Sequence, residues 1–357
     1  MDNLNLIRKT INEGTITRDD ILNNEATRQY YDGILEELKI KNFPLLEVNT
    51  ISKKTYMLEV RSGPKYYLVF DHYLLDTIHA LNQIVLRGPG PEHIEAFFSK
   101  ILAEECYIND KFSLSVQYAG RYLNYLETVI KNLTEDPKDD QPSNYLFFQQ
   151  SFLIAHELFH FFLNQDPSKH AVGIRAKKHY LQSIYDNARA KDNDTSDALQ
   201  KAINNDDLVE ECLCDSTGII QTLDVATQIE KQDVVEISLA AALAIMNQFT
   251  IASIQNGVKQ SGKLFYDGVM NLFNTRLLHF KAYTSNYLED FYSAHESRLF
   301  QERVEPLYVL WLKTVQLPIL EKMNHLNDEL EADKSYDSCS GEEIKRIKTV
   351  LKQIFNT

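Results

Sequence analysis

The segment Ala155-His156-Glu157-Leu158-Phe159-His160-Phe161 holds the residue types and spacing that could do chemistry. Residues four apart on a helix share a face, with Cβ atoms about 5–6 Å apart. His156 and His160 can therefore each bring a ring nitrogen to one metal ion at roughly 2.0–2.1 Å. Glu157 stands about 100° further round the helix than His156, placed to touch a water beside the metal and leave the metal to other ligands. Across residues 152–163 these three are the only polar side chains. A helix apolar on every other position is a buried one, and unpartnered buried polar groups cost about 1–3 kcal/mol each. A metal would satisfy all three. The competing reading is a core helix whose histidines bond to backbone carbonyls.

Catalytic zinc takes three protein ligands plus water, so a third donor must come from elsewhere. The best source is Leu208-Val209-Glu210-Glu211-Cys212-Leu213-Cys214-Asp215-Ser216, which reads as a second helix with no breaker before Gly218. Glu211 and Asp215 are again four apart and share a face. Glu211 can bind metal while Asp215 accepts the free N–H of a ligating histidine and fixes its ring. Glu210 competes for the ligand role, but its partner one turn on is Cys214, a poor acceptor, which favours Glu211. A solvated acidic helix face is the plain alternative for this cluster.

His156-Glu157-x-x-His160, followed about fifty positions later by Glu211-x-x-x-Asp215, resembles the gluzincin zinc metallopeptidases. In its long interval the pattern is most similar to the Ste24-like, IrrE/ImmA-type and Lit-type phage-exclusion peptidases. The resemblance implies a zincin-like core, Zn2+ on His156, His160 and Glu211, Glu157 as general base and Asp215 behind a ligand histidine. It implies a protein or peptide substrate, and the Lit-type likeness a regulatory or phage-defence protease. An oxyanion also wants a proton-donating group opposite the metal. The resemblance assigns this to His295, since His295 and Arg303 are similar to the late His-Pro…Arg element of Ste24-like enzymes, although Glu296 replaces the proline. A metzincin-like set with Asp166 as third ligand is disfavoured, because the glycine that motif needs for its sharp turn is Leu163 here. His170 and His179 are further donors, set among Lys169, Lys177 and Lys178 on what reads as an exposed segment.

Upstream of the metal-bearing helix, 44–71 contains Leu45-Leu46-Glu47-Val48, Thr55-Tyr56-Met57-Leu58-Glu59-Val60 and Tyr66-Tyr67-Leu68-Val69-Phe70, short strands around Ser62-Gly63-Pro64. One of them is expected to hold extended substrate by strand addition. Residues 72–86 read as helix, 134–143 as a polar loop before the metal-bearing helix, and 186–207 as a polar stretch between the two site helices. From Val234 the pattern is helical nearly to the end, with a break near 333–341 and no internal repeat. The predicted organisation is 1–40 helical, 41–133 a small sheet plus helices, 144–230 the core with both metal-bearing helices, and 231–357 helical. The fold class is α+β, predominantly α-helical.

The length of 357 residues corresponds to about two domains, and such a chain buries roughly 75% of its unfolded surface without staples. Cys106, Cys212, Cys214 and Cys339 follow no framework spacing, which points to a reducing compartment. The proximity of Cys212 and Cys214 to Glu211 raises the idea of a thiolate switch, against the commoner small buried cysteine. No apolar run of signal-peptide length opens the chain, so the expected location is cytoplasmic. Residues 237–254 are apolar but interrupted by Asn247 and Gln248, which favours a buried central helix over a membrane span. A net charge of -14 argues against a nucleic-acid surface. Nothing in the pattern sets a cleavage preference or an oligomeric state. The leading expectation is a zinc metallopeptidase. The alternative is a metal-stabilised, catalytically inactive binding protein with 134–143 or 186–207 covering the water position.

Overall fold

Three short strands pair into a sheet in the order β1-β3-β2, where β1 is Leu45–Val48, β2 Tyr56–Glu59 and β3 Tyr66–Asp71. β1 runs parallel to β3, Leu45 facing Leu68, and β2 antiparallel, Tyr56 facing Val69. Leu46, Val48, Leu58 and Val69 form a small apolar cluster on one face, while Leu68 and Phe70 join the main core on the other. Period-two alternation requires this split. The computed structural model describes residues 25–38, 43–59, 66–88, 90–128, 141–189, 203–230, 233–260 and 266–332, with a few isolated positions besides. The expected helix before residue 25, the Ser62-Gly63-Pro64 turn, most of the 134–143 loop, the centre of 186–207, the break at 333–341 and Cys339 lie outside them.

Helices make up nearly all the rest: α1 Glu25–Glu37, α2 His72–Arg87, α3 Pro91–Ile108, α4 Phe112–Thr128, α5 Gln141–Gln165, α6 Pro167–Arg189, α7 Asp206–Glu230, α8 Val234–Gln260, α9 Tyr266–Phe291, α10 Ala294–Trp311 and α11 Leu317–Ala332, with a π-turn at Leu312–Gln316. The described residues are predominantly helical with one small sheet, as expected from the patterning. Asp71 ends β3 and caps α2, accepting from the Tyr73 N–H at 3.1 Å and from the Thr50 N–H at 2.9 Å. Gly88 closes α2 in the left-handed conformation. α5 continues to Gln165, where Asp166 caps α6 through the Ser168 and Lys169 N–H groups. Asp166 is thus spent as a cap and does not join the metal-ligating group.

α8 is the central helix. Its alanine-rich span packs against α3, α5, α9 and α10, and Ile237, Ala240, Ala244 and Met246 are completely buried. It is the one helix among the described residues long and apolar enough to cross a membrane, and 83% of its most apolar window is covered by the fold. Asn247 explains how the interruption is tolerated: its amide donates to Asn82 at 2.9 Å, and Asn82 and Gln149 exchange bonds at 2.8 and 3.2 Å. Three helices are stitched through buried amides that would otherwise be costly. Gly218 does not stop α7, which runs twelve residues past it. A Cβ there would meet the Phe152 ring at 3.1 Å and the Phe152 carbonyl at 3.3 Å, so the glycine lets α7 cross α5 at close range.

Candidate metal centre

Two helices supply the convergent donors. On α5, the i,i+4 spacing brings His156 and His160 together with their Nε2 atoms 3.1 Å apart. On α7, Glu211 places Oε1 3.1 Å from His160 Nε2 and Oε2 3.5 Å from His156 Nε2. One donor atom from each of the three lies within 4.8 Å of the other two, a group that could hold a metal ion. Two imidazole nitrogens and a carboxylate oxygen are the donor types of a catalytic zinc site. Two Nε2 atoms meeting at hydrogen-bond distance need a proton or a cation to reconcile them. The residues present therefore fit a divalent ion.

Behind each histidine stands a carboxylate from α7. His156 Nδ1 lies 3.0 Å from Asp215 Oδ1, close as an ion pair but not aligned as a hydrogen bond. His160 Nδ1 meets Glu210 Oε1 at 2.8 Å. Glu210 is thus no rival ligand: its other oxygen accepts from His170 Nε2 at 2.9 Å, which ties it to α6. His170 belongs to a half-buried face of α6, and Lys177 on the same helix is buried. The expectation of an exposed segment holds for His179 alone of these three, because α6 packs lengthwise on α7.

Arg276 on α9 has no counterpart in the sequence reading. Its guanidinium forks onto Asp215, Nε to Oδ2 at 2.6 Å and Nη2 to Oδ1 at 2.7 Å, and its Nη1 reaches Glu211 Oε2 at 2.9 Å. Such planar bidentate pairing is what arginine offers a buried carboxylate. The available signal was weak: a cation flanked at helical spacing by Phe273, Leu277 and Phe280.

The electrostatics follow from this packing. Burial opposes charge on His156, yet Asp215 and Glu211 raise its imidazole to about 10. His160 is raised in the same way, chiefly by Glu211. Against its own burial, Glu211 is held far below the usual carboxylate range by Arg276 and the two histidines, and Asp215 is lowered to about 2, with Arg276 the main cause. Glu157 moves the other way, its carboxyl raised by burial. Among the described residues Glu157 has no hydrogen-bond partner, and it lines two clefts. One, of about 370 Å³, opens on the His156 side; the other, of about 460 Å³, opens on the His160 side.

Segment 53–59, which contains β2 at the edge of the sheet, passes both clefts: Lys53, Lys54 and Thr55 line the first, Met57 and Glu59 the second. His295, expected as oxyanion stabiliser, lies exposed at the start of α10, where its Nδ1 is 3.3 Å from Arg298. Arg303 pairs with Glu236 at 2.5 Å. Neither lines a cleft at the metal-ligating group, because α10 begins after Phe291, at the far end of α9 from the half that carries Arg276. Cys212 and Cys214 are fully buried, unpaired and pushed up by burial. They are protonated, which removes the thiolate-switch idea.

No known protein family, no characterised protein and no solved structure matches this chain.

Proposed function

We propose that the protein is a zinc-dependent metallopeptidase of the gluzincin type, hydrolysing peptide bonds of a protein substrate. The observation that carries the reading is the convergence of His156 Nε2, His160 Nε2 and a Glu211 oxygen, with the unpartnered carboxylate of Glu157 facing clefts on both sides. Structural sites are closed, whereas catalytic ones keep access. Zinc held by these three residues would supply Lewis acidity, polarising water and the scissile carbonyl.

The chain's own residues do the rest. Glu157 takes a proton from the attacking water and gives it to the leaving amine, and its raised carboxyl suits that exchange near neutral pH. Glu210 fixes the ring of His160 by a hydrogen bond, and Asp215 holds His156 by its charge. Arg276 neutralises the paired carboxylates of α7 and lines the cleft where an oxyanion would need donors. The edge position of β2 beside both clefts supports binding of extended substrate by strand addition. Unpaired buried cysteines support a reducing, cytoplasmic setting.

The test combines elemental analysis with a search for new protein N-termini in cells making the protein or its Glu157→Gln form. The proposal expects one zinc per chain in both and new N-termini with the parent alone. Zinc in both with identical N-termini would instead establish the metal-stabilised binding protein.

A further inference from the structure

The cleft on the His156 side differs in chemistry from the one on the His160 side. Its floor is apolar and fixed. Phe249 and Phe273 stack at 4.1 Å and 21°, and Trp311 backs both rings at 6.4 and 5.3 Å. Trp311 is anchored in turn: its Nε1 donates to Thr250 at 3.2 Å, and Thr250 donates to Gln316 at 3.0 Å. Gln316 sits in the π-turn Leu312–Gln316, a backbone irregularity that recurs near functional sites. Leu74 and the small side chain of Ala252 also line the cleft.

The rim carries a cation with no structural duty. Lys53 adopts a left-handed backbone, φ 53°, and buries its ammonium against Glu104 and Glu105 at 3.0 Å each. That turn sends the next residue the other way. Lys54 is exposed, lines the cleft, and makes no ion pair among the described residues. Exposed lysines are common, but this one is held at the mouth of an apolar cleft by a neighbour that is completely buried. A cavity of about 370 Å³ suits one large side chain together with part of the adjoining backbone.

Building on the peptidase reading, we propose that this cleft selects a large apolar side chain, aromatic or branched aliphatic, beside the scissile bond, with a carboxylate next to it that pairs with Lys54. The carboxylate comes from an aspartate or glutamate side chain or from a free chain terminus. Covering the aromatic floor removes apolar surface from water, which favours the first group, and the ammonium at the mouth attracts the second.

The experiment is cleavage of a randomised peptide library by the zinc-loaded full chain, with free and amidated C-termini run in parallel and cut sites read by mass spectrometry. The expected result is cutting beside Phe, Leu, Ile or Met with an acid within two or three residues. If cutting survives amidation the acid is a side chain, and if it requires a free end the carboxylate is the terminus; each supports the inference. Ala252→Phe, which fills the cleft, should lower kcat/KM on a phenylalanine peptide about 10–100-fold and spare an alanine peptide, since pocket size discriminates on that scale. Lys54→Glu, an exposed change that leaves folding intact, should turn the preference for an acid into one for a base. Cutting without apolar or acidic preference would overturn this inference and leave the peptidase standing. Zinc-loaded protein that cuts no peptide in the library would overturn both.

Discussion

His156 and His279 are both buried histidines one helix apart, and they have opposite fates. His156 on α5 faces three carboxylates of α7 directly or through its neighbour, and its imidazole is pushed up to about 10. His279 on α9 faces the opposite flank of α7, where Lys177 Nζ lies 3.2 Å from its Nε2 and 2.7 Å from the Ser216 hydroxyl. Tyr180 and Tyr283 enclose that ammonium, the closer ring 4.3 Å away. Burial and the neighbouring lysine push His279 well below its ordinary value. Arg276 lies one turn before His279 on α9 and separates the two clusters by binding Asp215. One cluster gathers excess negative charge around converging nitrogens and opens to clefts. The other balances a cation against rings and hydroxyls and is closed. Burial of a histidine is therefore no sign of a site; convergence of uncompensated donors with access is.

The sharpest break of that contrast is on the open side. Glu157→Gln should cut turnover by about 10²–10⁴ while zinc stays bound, the usual size of a general base. Activity equal to the parent would remove Glu157 from the chemistry. His156→Ala and His160→Ala should lose the metal instead, which elemental analysis reads directly.

Proton linkage separates the clusters next. His156 is raised to about 10 in the metal-free protein and His160 is raised from its ordinary value by Glu211, so zinc uptake at pH 7 must expel protons, about one or more per ion. Zinc affinity should then climb about tenfold or more per pH unit from 6 upward, flattening as pH nears 10. Titration calorimetry in buffers of different ionisation enthalpy measures the release; a flat profile would deny that the imidazoles are the ligands. Asp215→Asn and Glu210→Gln should each weaken zinc about 10–100-fold, the ordinary effect of losing the acceptor behind a ligand histidine. A loss confined to Asp215→Asn would reduce Glu210 to a helix tie.

How much of this could be read from the sequence follows the range of the interactions. His156, Glu157 and His160 were legible because the i,i+4 spacing is local, and Glu211 with Asp215 for the same reason. The three strands were legible as short runs around turn residues, and α8 from its apolar length. Arg276 and the Glu210–His170 bond were not, since each joins helices whose mutual placement no local pattern encodes. Gly218 read as a potential breaker because glycine usually weakens helices, whereas it serves a close crossing that only the partner helix, with Phe152, explains. Lys177 read as exposed because three lysines lie close together in the sequence, yet the turn of α6 carries Lys177 inward and leaves Lys169 outside. His295 was placed by likeness to a motif it only half matches, and a cap at Ser293 with the open start of α10 keeps it at the surface.

The smallest expected effect tests the closed side. Lys177→Met keeps the length of the side chain and removes the ammonium, so zinc affinity and turnover should not move, and stability at pH 7 should change by about 1 kcal/mol, the net worth of an ordinary hydrogen bond. The pH dependence is more telling. Burial lowers Lys177 to about 8 from an ordinary 10.5, so between those values the unfolded chain binds more protons and folding stability gained from this group rises with pH. His156, raised to about 10 from 6.5, contributes with the opposite sign: its stabilisation of the metal-free fold is complete below 6.5 and is lost as pH rises to 10. Denaturant melts of metal-free protein between pH 8 and 10 should therefore fall more steeply with pH for Lys177→Met than for the parent. Parallel curves would mean that the folded protein holds the lysine's proton as firmly as the unfolded chain does, and the contrast between a compensated cluster and an uncompensated one would lose its basis.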